Sequence, residues 1–286
     1  MVVTPSKKKI GAIIQARSSS TRLPNKIFLS LPYKSNISVL EHIINRSKKV
    51  HLLDEIIVAT TYKKDDDVIE NFCNKIGINC FRGDEDNVLS RFYAAAENNK
   101  IDIIIRLTAD NPCIDYNLIN STIRFHINES NDYTFTKDYP VGLNIEVCSF
   151  IALKKAYQNV TEIYEKEHVT PYIYKSHPEY FKIGMVNSGE PLRRPDIRIT
   201  LDTEEDYILL CTVYDYLYYK NNFFLSEDIV KLFVEKPWIG MINKKIIQKK
   251  IFNTLEEEIE ESIKILDLQD LKRVKVYLVN KLKNGL

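Results

Sequence analysis

The alternation of short apolar runs with amphipathic ones constrains this chain more than any other feature. Residues 10–16, 55–60 and 101–107 are rich in Ile, Val and Ala and read as buried strands. Between them, Val39, Leu40, Ile43 and Ile44 recur at helical spacing, as do Val88, Leu89, Phe92 and Ala95. Such alternation predicts an α/β fold, a mainly parallel sheet with helices on both faces. Ligands of such sheets bind beyond the carboxyl ends of the strands. Residues 197–201 read as a further interior strand, and 79–81, 133–135, 145–147 and 181–186 as weaker ones. From about residue 201 the pattern turns almost wholly helical, with helices expected over 204–219 and 226–235. Leu255, Ile259, Ile263 and Leu266 mark another, whose acidic first turn, Glu256 to Glu258, favours a helix start. A last one follows over 270–282. Residues 1–239 are expected to form the main domain and 240–286 a helical C-terminal extension.

Bulk properties exclude several classes. A net charge of +1 over 286 residues argues against a broad nucleic-acid footprint. No stretch approaches the roughly 20 apolar residues of a membrane span. Residues 1–9 are basic but lead into no signal-peptide hydrophobic region and read as a short tail. Cys73, Cys80, Cys113, Cys148 and Cys211 are scattered and odd in number, which suits reduced thiols in a cytoplasmic protein.

The loop after the first strand carries the chemistry. Residues 15–26 read Gln-Ala-Arg-Ser-Ser-Ser-Thr-Arg-Leu-Pro-Asn-Lys. Backbone N–H groups, hydroxyls and the cations Arg17, Arg22 and Lys26 suit a polyphosphate. A solvated loop with scattered charge has the same composition, so other residues must decide. Asp110 follows the strand of residues 101–107 and is stopped by Pro112; Asp202 ends residues 197–201. Two carboxylates at two strand ends can hold one Mg²⁺ through hard oxygen ligands, with water and phosphate completing its shell. The plainer alternatives are a helix N-cap for Asp202 and an Asx-type turn for Asp110.

With these residues in view, the chain resembles the spore-coat polysaccharide F-type cytidylyltransferases, relatives of the acylneuraminate and 3-deoxy-manno-octulosonate enzymes. Six segments carry the resemblance in the family's order: residues 15–26, 82–91, 106–115, 142–147, 167–171 and 198–206. The helical end, including residues 268–273, is also similar. The resemblance implies a three-layer nucleotide-diphospho-sugar transferase (Rossmann-like) fold and transfer of CMP from CTP to a small anionic acceptor, for surface-glycan synthesis, by a homodimer. It implies that Arg17, Arg22 and Lys26 hold the triphosphate and departing pyrophosphate, and that Asp110 and Asp202 hold Mg²⁺. Ala12, Gln15, Arg82, Gly83 and Thr108 fall on the nucleotide side; Glu146 and His168 fall on the acceptor side. For His168, a histidine at a helix start packed under Pro171 and Tyr172 is the structural alternative.

Ser19 and Asn25 stand where relatives often have glycine, at positions that call for unusual backbone angles, which asparagine tolerates better than serine. Asn144 replaces a frequent aspartate, and Thr200 an acidic residue of the sialic-acid enzymes. These departures bear on the acceptor. Competing readings are a nucleotidyltransferase using another base, a glycosyltransferase of similar fold, and a non-catalytic binding subunit. The glycosyltransferase needs a D-x-D at a strand end. Asp65-Asp66-Asp67 has that pattern, but helix capping and dipole matching explain it better. No phosphate-loop or dinucleotide glycine motif is present.

Overall fold

The computed structural model describes residues 7–20, 22–246 and 254–283. Thr21 of the cationic loop, the first six residues of the expected tail, and residues 247–253 and 284–286 of the expected extension lie outside the described residues. Seven strands form one sheet: β1 Ile10–Gln15, β2 Glu55–Thr61, β3 Asn79–Gly83, β4 Ile103–Thr108, β5 Tyr133–Lys137, β6 Glu146–Ser149 and β7 Ile183–Asn187. Their order is β3-β2-β1-β4-β6-β5-β7. The pairs β1–β2, β1–β4, β2–β3 and β5–β7 are parallel, while β6 runs antiparallel to both its neighbours.

The period-two alternation of side chains separates the core into two layers. Ala12, Ile14, Val58, Ile103 and Ile105 face one cluster, and Ile13, Ile57, Ala59 and Ile104 the other. Helices α1 Val39–Ser47, α2 Asp67–Ile76, α3 Val88–Asn98, α4 Tyr116–Asn128, α5 Phe150–Asn159, α6 Ile163–His168, α7 Glu204–Leu217 and α8 Ser226–Glu235 surround the sheet. α1, α2, α4, α7 and α8 contribute to the first cluster and α3 and α5 to the second. Each fully buried Ile or Leu stabilises the fold by roughly 1.5–3 kcal/mol. This is the mainly parallel sheet with helices on both faces that the alternation predicts, and the three-layer Rossmann-like architecture that the resemblance implies.

One expected sheet strand is absent. Residues 197–201 make only an isolated parallel bridge, Val141 with Arg198. Val141 donates to Ile197 O at 2.8 Å and Ile199 donates to Val141 O at 2.8 Å. Gly142 allows this close approach: its φ is +106°, and a Cβ there would lie 3.0 Å from the Ile199 backbone. Ile197, Ile199 and Leu201 are buried all the same, which explains why the segment reads as a strand.

The chain divides into two compact units, residues 1–245 and 246–286. In the second, Thr254 caps α9 (Leu255–Leu268) by accepting from the Glu257 N–H. There, too, Lys275 of α10 (Lys272–Lys283) pairs with Asp267 of α9 at 2.6 Å.

Candidate active site

The cationic loop leaves the carboxyl end of β1 and is closed at its neck, where Asn25 N–H donates to Ser18 O at 3.2 Å. Asn25 takes the left-handed conformation, φ 53° and ψ 23°, as its place in a glycine-type position calls for. Ser19 is not among the positive-φ residues, so the expectation of unusual angles fails there. Ser18 is anchored from below. Its N–H and its hydroxyl both donate to Asp66 Oδ1 at 2.7 Å, and Thr61 Oγ1 donates to Asp66 Oδ2. Burial favours the neutral form of Asp66, but these donors outweigh it and hold the carboxyl below its ordinary range.

That finding reassigns the three-aspartate run. Asp66 makes no capping bond to α2; it braces the loop. Asp67 pairs with Arg82 at 2.6 Å. The D-x-D therefore serves architecture, through an ion pair and a loop brace, and capping explains less of it than expected.

Lys26 sits in the short 3₁₀ turn Lys26–Phe28. Its ammonium donates to Asp110 Oδ2 at 3.0 Å, Leu201 O at 2.7 Å and Asp202 Oδ1 at 3.0 Å, using all three of its protons. Arg22 also reaches Asp202 Oδ1, at 3.1 Å, and Arg198 donates to Asp202 Oδ2 at 2.9 Å. Burial works to raise the Asp202 carboxyl, yet the charge and hydrogen bond of Lys26, with Arg198 and Arg22, bring it down to about 2. Asp202 is not a helix cap: Thr203 caps α7. Nor does Asp110 close an Asx turn; Oδ1 accepts from Thr108 Oγ1 at 2.5 Å and Oδ2 from Lys26. Both carboxylates are thus aimed at one cationic point.

Sequence reasoning missed the support beneath Asp202. Asp206 is fully buried. It accepts from Arg198 Nε and Nη2, both at 3.0 Å, from Asn243 at 2.8 Å and from Asp202 N–H at 3.0 Å. It also completes a capping box with Thr203. The Thr-x-x-Asp spacing was the available signal for the cap; nothing local marked the arginine.

A second chain of contacts begins beside the first. Gln15 and Thr108 are register partners across β1 and β4. Gln15 Oε1 accepts from Arg106 Nη2 at 3.2 Å, and Arg106 Nη1 donates to Glu146 Oε1 at 2.7 Å. Glu146 Oε2 accepts from Tyr133 OH at 2.9 Å and Thr170 Oγ1 at 2.6 Å. His168 is the last residue of α6, at a helix end and not the helix start considered above. Val169 follows with φ 74° and ψ −56°, and Thr170 N–H donates to His168 O at 2.9 Å, closing a γ-turn. A β-branched residue at positive φ is strained; here the strained turn sets Thr170 on Glu146.

Two nucleotide-side residues are placed differently. Ala12 is fully buried in mid-β1, pairing with Ile56 and Ile105, and presents no surface to a ligand; its expected contact is corrected on that ground. The Arg82 guanidinium is spent on Thr61 O, Lys63 O, Asp67 and Glu70, and is not brought to the Lys26 cluster. Gly83 ends β3 with the stem of Arg91 against it. Arg17 lines a cleft of about 860 Å³ with Ser18, Ser19, Ser20, Lys63 and Lys64. Asp65 and Glu85 also line it, with Lys63 paired to Glu85 at 2.6 Å, so what it offers a polyphosphate is its hydroxyls, the loop amides and the cations Arg17 and Lys64.

Comparison with known proteins decides the family. The model of the cytidylyltransferase family matches residues 11–246. The chain belongs to the cytidylyltransferase family. It is accordingly a CTP-dependent nucleotidyltransferase. It is 42% identical over 253 residues to an uncharacterised protein of Methanocaldococcus jannaschii, covering 87% of this chain and 100% of that one. It is 36% identical over 212 residues to the spore coat polysaccharide biosynthesis protein SpsF of Bacillus subtilis, covering 71% and 85%. Among solved structures, a cytidylyltransferase from Leptospira borgpetersenii superposes with a TM-score of 0.75 at 28% identity, covering 86% of this chain and 100% of that one. No helix among the described residues is long and apolar enough to cross a membrane.

Proposed function

We propose that this cytidylyltransferase moves CMP from CTP onto a small anionic acceptor, an acidic sugar or a similar acid, with release of pyrophosphate, for surface-glycan synthesis. The observation that carries this reading is the convergence of Asp110 and Asp202 on one ammonium, Lys26 Nζ, at 3.0 Å each, where the cationic loop meets the sheet's carboxyl edge. The similarity to SpsF supports the glycan assignment.

The donor set suits Mg²⁺. Two hard carboxylates that already share a cationic atom can share a divalent ion, and Mg²⁺ in nucleotide sites is held by one or two carboxylates plus phosphates. Bound there by Asp110 and Asp202, Mg²⁺ would neutralise charge developing on the α-phosphoryl group. The protein's own part is positioning. Lys26 and Arg22 leave the carboxylates to take the triphosphate, so the ion pairs of the free enzyme are exchanged for ion pairs with substrate. Arg198 and Asp206 hold Asp202 in place during that exchange. Arg17 and the loop amides take the leaving pyrophosphate. Glu146 and His168 lie on the acceptor side, Glu146 fixed by Arg106, Tyr133 and Thr170.

The test is incubation with each nucleoside triphosphate, Mg²⁺ and a panel of acidic sugars, phosphosugars and phosphonates, following pyrophosphate. Release with CTP and one acidic acceptor is expected. Release with UTP or GTP but never CTP would overturn the reading.

A further inference from the structure

Three arginines keep buried nitrogens without a hydrogen-bond partner: Arg46, Arg91 and Arg106. Two of them have an evident structural role. Arg46 donates to Ile114 O and Phe224 O and lies 4.4 Å from the Phe224 ring centroid. Arg106 joins Gln15 to Glu146. Arg91 has none. It is 3% exposed, and its guanidinium makes no hydrogen bond or ion pair among the described residues. Nε and Nη1 are buried, leaving Nη2 as the nitrogen that reaches the surface.

Arginine keeps its proton in proteins, so this is a buried, uncompensated charge. Leaving such a charge unpaired in the interior is strongly unfavourable. Its surroundings add to the cost. Burial, then the charge of Arg17, weigh against the guanidinium, while Asp66, Asp84 and Glu85 act in its favour from a distance. Arg17 likewise makes no ion pair among the described residues. Arg17 follows the end of β1 and the Arg91 stem lies against Gly83 at the end of β3, so two guanidinium groups without an ion pair stand at the carboxyl edge of the sheet.

The backbone makes room for this arrangement. A Cβ on Gly83 would lie 2.5 Å from Arg91 Cγ and 3.3 Å from its Cδ. Glycine at that position lets the arginine stem cross the end of β3.

We propose that Arg91 and Arg17 together receive one phosphoryl group of the nucleotide, with Arg91 donating from Nη2. A full negative charge is required to relieve both the burial of Arg91 and its repulsion by Arg17. A neutral base or ribose hydroxyl would relieve neither. The proposal rests on the nucleotide reading of this site and adds to it a residue on α3.

The experiment is calorimetric titration of wild type, Arg91→Met and Arg91→Lys with inorganic pyrophosphate, CTP and cytidine. Methionine keeps the stem against Gly83 and removes the charge. A lost charged hydrogen bond weakens binding roughly 10- to 100-fold, so Arg91→Met should lose that much affinity for pyrophosphate and CTP while cytidine binding stays unchanged. A stem that only packs against Gly83 would not produce this phosphate-selective loss. Unchanged pyrophosphate and CTP binding in Arg91→Met overturns the proposal, as does an equal loss for cytidine. If Arg91→Met fails to fold, Arg91→Lys decides. Its shorter reach predicts about a tenfold loss for pyrophosphate, and wild-type affinity would be contrary. Pyrophosphate carries no base, so failure of CTP as substrate with pyrophosphate binding intact would sink the functional reading alone.

Discussion

Ser18 gives both its backbone N–H and its hydroxyl to one oxygen of Asp66, at 2.7 Å each. The residues are 48 apart in sequence, and the contact ties the cationic loop to the 3₁₀ turn, Lys64–Asp66, that follows β2. Asp66→Asn keeps the shape but turns one acceptor into a donor facing Ser18 or Thr61. We expect a loss of roughly 2–4 kcal/mol in stability and a raised KM for CTP. Ser18→Ala keeps the backbone bond and should lose only about 1 kcal/mol. Denaturant unfolding of both variants and their double mutant checks this; equal effects would contradict the bracing role.

Lys26→Met removes the ammonium shared by Asp110 and Asp202. With the leaving group's cation gone, kcat/KM should fall roughly 10²- to 10³-fold, the size seen when one preorganised donor is lost. Steady-state kinetics with CTP checks it, alongside a melting curve to show that the fold survives. Activity within a few-fold of wild type would remove Lys26 from the site.

Asp206 is buried with Arg198 as its ionic partner. Removing one member of such a pair leaves a buried charge alone and costs about 3–5 kcal/mol. Asp206→Asn should therefore destabilise strongly, and Arg198→Met added to it should restore part of the loss. Urea unfolding of the two single variants and the double checks the sign of the coupling. Simple additivity would contradict it.

Acid should destabilise this protein in two stages. Burial brings both His42 and His126 down to about 4 from 6.5. Their folded values lie below the unfolded one, so the unfolded state binds more protons between pH 6.5 and 4. Stability is whole above that window and falls as pH drops through it, by up to about 3 kcal/mol for each histidine. Asp202, at about 2 against 3.8, loses its contribution only below that window. Unfolding in urea at about pH 7.5 and about pH 4.5, with His126→Gln showing a smaller difference, checks the account. Equal stability at both values would contradict it.

Much of this architecture was legible because burial leaves a periodic trace. β1, β2 and β4 are apolar and β-branched along their length, and α8 keeps its expected bounds, Ser226–Glu235. The same logic misled at residues 197–201. Alternating burial records only that one face is covered, and here the segment pairs with the Val141 loop and not with the sheet. The site followed a similar division. Arg22, Lys26 and Asp110 meet as their places after β1 and β4 suggested, and Asp202 joins them although the segment before it is not a strand of the sheet. The residues that hold them, Asp66 and Arg198 with Asp206, act through contacts with no local spacing to announce them, apart from the Thr203–Asp206 cap. Ala12 shows the reverse limit: a residue in a matching segment can be sealed inside the sheet.

The central claim is CMP transfer at the Asp110–Asp202 pair. It is tested most directly by placing a radiolabel on the α-phosphate of CTP and following it with Mg²⁺ and an acidic-sugar panel. The account predicts that label enters an acceptor as its CMP ester, with one pyrophosphate released per ester, and that Asp110→Asn and Asp202→Asn each abolish the transfer. Transfer at wild-type rate in either variant, or pyrophosphate formed with no label in any acceptor, would contradict it.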